Sequence, residues 1–170
     1  MTDEPSAAEP WLASYAHACD WAQPFPPLAL TDLFAQAAAQ HAVQPLVDFL
    51  GRQFSYAALH AQARACAAGL QALGVTKGDR IGLYLPNVPI YVSAYYGAML
   101  AGATVVNFSP LYTLDELTAQ INDSGTRLLV TIDSAALLPT ALKVLDATGL
   151  EHLVVGSLGA MLPQIGRAHV

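Results

Sequence analysis

A chain of 170 residues with a net charge of −6, 54% hydrophobic and only 12% charged residues, excludes several classes at once. It is long enough to bury one sizeable core, and its 7 Lys and Arg form no stripe that could follow a phosphate backbone, so no nucleic-acid partner is expected. So sparse a charge implies strands buried on both faces, or a surface that something else covers.

The start, MTDEPSAAEP, is acidic and proline-containing, unlike a secretion signal or a basic transit peptide. From Trp11 to Pro27 the chain is rich in aromatics and prolines without a period, so residues 1–27 are expected to be an extended segment. A helix is predicted over Leu30–His41, with Thr31 as its cap and Leu33, Phe34, Ala37 and Ala38 on its inner face. Leu46–Leu50 reads as a strand, with Gly51-Arg52 turning into Gln53-Phe54 as a short hairpin. Ser55 then caps a helix to Leu73. Its stripe is Tyr56, Leu59, Ala63, Cys66, Ala67, Leu70 and Leu73, and Gly74 closes it.

Beyond Gly74 strands and helices alternate. Strands are predicted at Arg80–Leu85, Thr104–Phe108, Arg127–Ile132 and His152–Val155. The helices between them are Val88–Ala101, capped by Asn87, then Leu114–Asp123 and Ser134–Thr148. Thr113 and Glu116 stand at the spacing of a capping box. No charge occurs from Ile81 to Leu114, but Gly102 splits this run where β-branched residues begin. It therefore reads as a buried helix followed by a strand, and no transmembrane segment is expected. The alternation predicts an α/β layered domain with a largely parallel sheet flanked by helices.

Several local groups offer chemistry, each with a plainer reading. Gly156-Ser157-Leu158-Gly159 follows a strand but lacks the remaining glycine of a phosphate loop, so it reads as a loop. His17, His41, His60, His152 and His169 are scattered, and no metal site is expected. Asp115 and Glu116 diverge on a helix, and Glu116 has its capping role. Asp79-Arg80 reads as a solvated turn, and Tyr91, Tyr95 and Tyr96 as core rather than pocket. Cys19 and Cys66 have no motif spacing and read as reduced thiols, one of them in a helix core.

A family resemblance rests on Lys77-Gly78-Asp79-Arg80, Leu85-Pro86-Asn87, Gly97 with Ala101-Gly102-Ala103, Val105-Val106-Asn107, Pro110-Leu111-Tyr112-Thr113, Glu116-Leu117 and Asn122-Asp123-Ser124-Gly125. Pro10-Trp11-Leu12, Asp20-Trp21 and Asp48-Phe49-Leu50-Gly51-Arg52 with Tyr56 extend it. On these motifs the chain resembles the N-terminal region of acyl-adenylate-forming (AMP-binding) enzymes, and most of all the long-chain fatty-acid–CoA ligases. The resemblance implies ATP, CoA and Mg as cofactors, a fatty acid as substrate, and a cytoplasmic location with peripheral membrane association left open. An aryl- or short-acyl-CoA ligase, or a free-standing α/β binding module, is the alternative; Phe108-Ser109 departs from the pair many members carry.

The fold it implies is incomplete here, since such ligases run to several hundred residues. Residues 28–164 would be part of the N-terminal domain. No catalytic, cofactor-binding or metal residue is assigned, because no Ser/Thr/Gly run leads to Pro-Lys-Gly and neither lysine, Lys77 nor Lys143, lies in such a loop. The fragment is accordingly expected to be inactive. Residues 165–170, IGRAHV, have no family counterpart and can be back-translated into a common sequencing adapter; they are read as a non-native tail.

Overall fold

The computed structural model describes residues 23–163 together with Trp11, Ser14 and Cys19. Most of the 1–27 segment and the whole 165–170 tail lie outside the described residues. The elements are α1 (Leu30–Gln40), β1 (Pro45–Phe49), β2 (Arg52–Ser55), α2 (Tyr56–Ala72), β3 (Arg80–Tyr84), α3 (Pro89–Leu100), β4 (Thr104–Phe108), α4 (Leu114–Ser124), β5 (Leu128–Ile132), α5 (Leu138–Ala147) and β6 (His152–Gly156). A short 3-10 turn, Gly159–Met161, follows.

Strands β3 to β6 form one parallel sheet in the order β4-β3-β5-β6. The crossover from β3 to β4 runs one way, and those from β4 to β5 and from β5 to β6 run the other. Right-handed connections then place α3 on one face, and α4 with α5 on the opposite face. The observed packing agrees: α2 and α1 lie against α3, and α4 lies against α5. The expected α/β layers with a sheet flanked by helices are therefore present. β5 is buried along its whole length and β3 in all but Arg80, as central parallel strands covered on both faces require. The two strands of the hairpin form a separate antiparallel sheet.

Several expected boundaries shift for local reasons. The hairpin turn is Leu50-Gly51, not Gly51-Arg52: φ is 54° at Leu50 and 84° at Gly51. Left-handed backbone at both positions is the mark of a type I′ two-residue turn, and the Asp48 carboxylate accepts from the Gly51 N–H at 3.0 Å. Arg52 is thereby released into β2, opposite Phe49. In α1 the cap is Ala29, whose carbonyl accepts from Asp32 and Leu33, so Thr31 lies inside the first turn and Leu33 is exposed. In α3 the N-cap is Val88 and Asn87 makes no cap bond. Pro89 in the first turn has no N–H to satisfy, which reduces the need for one. Helix α5 begins at Leu138, a turn later than expected. Extending it back to Ser134 would put Pro139 in the interior, without a donor and against the Ala135 carbonyl. Instead Ser134 Oγ accepts from the Leu137 N–H.

Other caps form as read. Ser55 Oγ accepts from Ala58 at 3.2 Å, and Thr113 and Glu116 complete a capping box. At the end of α2, Gly74 takes φ 83° and the Val75 N–H reaches back to the Leu70 carbonyl. This closing motif buries the residue after the glycine. Val75 is inside, while Leu73, the last member of the expected stripe, is 42% exposed.

At the amino edge of the sheet, Arg127 bonds Glu151 through Nε (2.8 Å) and Nη2 (2.6 Å) and Asp79 through Nη1 (2.7 Å). It thus ties the entries of β3, β5 and β6. The Thr76 N–H and then Arg127 hold the Asp79 carboxyl below its ordinary range, and Arg127 does the same to Glu151. Carboxylates depressed in the folded state stabilise it above their ordinary pKa, and that stabilisation is lost as pH falls through the folded values. Arg127→Met should therefore melt slightly lower than wild type at neutral pH, with the gap closing as the carboxylates protonate and as salt is added. Melting curves over an acid series check this; a gap independent of pH would show that Arg127 acts by packing alone.

Candidate carboxyl-edge site

Open α/β sheets take ligands outside the carboxyl ends of their strands, where the strand order reverses. Here the reversal lies between β3 and β5. Thr131 Oγ1 donates to the Tyr84 carbonyl at 3.1 Å, locking these two strand ends together. Tyr84 itself is buried, and burial pushes its phenol pKa up.

Two openings border this edge. The larger, of about 630 Å³, is lined by Asp133, Ser134 and Ala135 after β5 and by residues 157–160 after β6. Its walls are joined by the Leu158 N–H, which donates to Asp133 Oδ1 at 2.6 Å. The 156–159 loop stands out in the sequence by its two glycines, whereas Asp133 and Ser134 do not. Their one signal was position, immediately after the apolar run Leu128–Ile132.

The second opening, about 370 Å³, is lined by Tyr91, Val92, Tyr95, Tyr96 and Asn107. Tyr91 and Val92 also line a separate cleft of about 290 Å³ against the hairpin residues Val47, Asp48 and Phe49. The three tyrosines therefore both pack on the core and face a cleft, where the expectation was core alone. Tyr96 stacks on Phe34 with ring centroids 4.2 Å apart, and the Tyr91 hydroxyl donates to Asn107 Oδ1 at 2.8 Å. Burial raises the pKa of Tyr91 and Tyr96, with Tyr95 adding to both, so both are neutral phenols and offer no base.

The other candidates are structural. Asp79 accepts from the Thr76 N–H at 2.8 Å and pairs with Arg127. Glu116 serves the α4 cap while Asp115 stays exposed. Cys66 sits half-buried against Gly97, and burial raises its thiol pKa, away from the reactive thiolate. Cys19 is exposed. No group of three His, Cys, Asp or Glu able to hold a metal occurs among the described residues. The larger cleft has one carboxylate, already engaged by Leu158, while Lys77 precedes the amino end of β3 and Lys143 lies exposed on α5. These residues do not fit a magnesium–nucleotide site, and no reaction step is assigned to them. Among the described residues no helix is long and apolar enough to cross a membrane.

Comparison with known proteins agrees with this scaffold. The profile of a family described as AMP-binding enzyme matches residues 34–164. A long-chain-fatty-acid–CoA ligase of Escherichia coli is 40% identical over 135 residues, 79% of this chain and 24% of that protein. The ligase of that name from Bacillus subtilis is 33% identical over 155 residues, 91% of this chain and 27% of that protein. The chain thus spans about a quarter of the length of the curated relatives it matches. Among solved structures, a long-chain-fatty-acid-CoA ligase from Archaeoglobus fulgidus superimposes with a TM-score of 0.70 at 26% identity, covering 82% of this chain and 30% of that one.

Proposed function

The chain belongs to the AMP-binding enzyme family, and from that premise we propose that it is the N-terminal part of an ATP-dependent, AMP-forming acyl-CoA ligase whose substrates are long-chain fatty acids. The observation that carries the substrate class is the 40% identity over 135 residues to a curated ligase of that name. In the intact enzyme the fatty carboxylate attacks the α-phosphorus of ATP, giving an acyl-adenylate and pyrophosphate. The thiol of CoA then attacks the acyl carbonyl, AMP leaves, and a thioester forms. ATP, CoA and magnesium are the cofactors on this reading, and the cytoplasm is the place of work.

Residues 28–164 then supply part of the N-terminal domain, a scaffold rather than the reacting groups, and residues 165–170 are a tail foreign to it. Stabilising the charge that develops at the transferred phosphorus calls for donors and cations aimed at it. The described residues hold no such constellation, so this chain alone is inactive.

Two assays test the reading. Pyrophosphate release by the chain with ATP and a panel of fatty acids should equal the blank. A chimera carrying residues 34–156 of this chain in the corresponding place of the Escherichia coli ligase should retain release dependent on a long-chain acid. Turnover by the chain alone would overturn the scaffold role. A folded chimera without activity would overturn the ligase assignment.

A further inference from the structure

The segment after β6 forms one wall of the larger carboxyl-edge cleft. Its own turns are local: the Met161 N–H donates to the Leu158 carbonyl at 3.0 Å, and the Leu162 N–H to the Gly159 carbonyl at 3.4 Å. At its near end it is held across the sheet by Asp133, through the Leu158 N–H. At its far end it meets the hairpin, which belongs to a different sheet. There Arg52 Nη1 donates to the carbonyls of Ala160 at 2.5 Å and of Leu162 at 3.2 Å. The guanidinium carbon lies 4.7 Å from the centroid of the Phe54 ring, and Phe54 is buried. A guanidinium seated on a ring in this way aims its donors in fixed directions.

We propose that Arg52 is a positioning residue: it fixes the segment after β6, and with it the wall of the cleft, from the separate hairpin sheet. Asp133 and Arg52 hold the two ends of this wall, one a carboxylate that accepts and the other a cation that donates. Hydrogen bonds to charged groups are the stronger kind, and each here spans elements far apart in sequence. The consequence for a ligand rests on the ligase reading, because only a ligand-bearing edge makes the width of that opening matter. The coupling itself does not, and it is measured without substrate.

Arg52→Met keeps the apolar stem over Phe54 and removes the donors. In hydrogen exchange of the full chain, the amides of Met161 and Leu162 should exchange at least about tenfold faster than in wild type, a loss of roughly 1.4 kcal/mol of local protection. Val130 and Val154, in β5 and β6, should keep their wild-type rates. Arg52→Lys, which retains a cationic donor, should recover part of the lost protection. Unchanged exchange at Met161 and Leu162 would overturn the proposal. So would acceleration that is equal throughout the sheet, since Arg52 would then support the fold as a whole. A lysine variant as fast as the methionine variant would overturn the hydrogen-bonded assignment. None of these outcomes depends on ligase activity, so the proposal and the reading in the previous section fail separately.

Discussion

Leu70→Asp is expected to leave most of the protein unfolded under conditions where Gln62→Asp folds normally. Leu70 lies on the inner stripe of α2 and is 3% exposed. Removing that side chain from its site forfeits about 1.5–3 kcal/mol of burial, and the introduced carboxylate adds a desolvation cost of several kcal/mol or protonates to avoid it. Together these approach the whole stability of an ordinary domain, about 5–15 kcal/mol. Gln62 lies on the exposed side of the same helix, where substitutions away from special contacts usually stay within about 0.5 kcal/mol. Urea midpoints of the two variants measure the difference. Equal midpoints would show that α2 buries the other face.

Two glycine-to-alanine changes should move stability in opposite directions. In an open helix position alanine is favoured over glycine by about 0.5–1 kcal/mol. Gly69 in α2 has such a position, since an added Cβ would meet nothing within 4 Å. Gly69→Ala should therefore raise the melting temperature. Gly97 in α3 is the contrary case. An added Cβ would lie 2.7 Å from Cys66 Cβ, 2.8 Å from Cys66 Sγ and 2.9 Å from the Ala63 carbonyl oxygen. A backbone oxygen cannot rotate away, so α2 and α3 must separate. Overpacking of this kind costs about 1–3 kcal/mol, which outweighs the helical gain, and Gly97→Ala should lower the melting temperature. Cys66→Gly removes two of the three obstructing atoms. Combined with Gly97→Ala it should therefore be less destabilising than the sum of the single changes, the sign of a direct contact. If Gly97→Ala proved as stabilising as Gly69→Ala, the close approach of the two helices would be wrong.

How far such distinctions can be read from sequence depends on whether their cause is local. The capping box of Thr113 and Glu116, the Ser55 cap and the turn at Gly74 involve residues within a few positions of one another. Their side-chain chemistry specifies them before any packing occurs. The same holds for the strand and helix alternation, because the period of apolar residues is set by backbone geometry. The misplaced caps were local too. At Asn87 and Ser134 a cap-forming residue stood near the expected start, but Pro89 and Pro139 determined where the helix could begin.

Tertiary structure decided everything that depends on which distant surfaces meet. Gly69 and Gly97 both stand inside predicted helices, and only the crossing of α2 over α3 shows which of them has no room for a side chain. Tyr91, Tyr95 and Tyr96 have the spacing of a core face, and whether that face is wholly covered depends on the hairpin and on β4 beside it. Arg52 and the carbonyls of Ala160 and Leu162 are brought together only by folding, as are Asp133 and the Leu158 N–H. The elements, their order, the parallel sheet and the family are legible in the chain, since each is written in short-range pattern and motif. The cleft at the carboxyl edge came from strand order, a non-local property: β6 laid beside β5 is what brings residues 157–160 opposite Asp133 and Ser134.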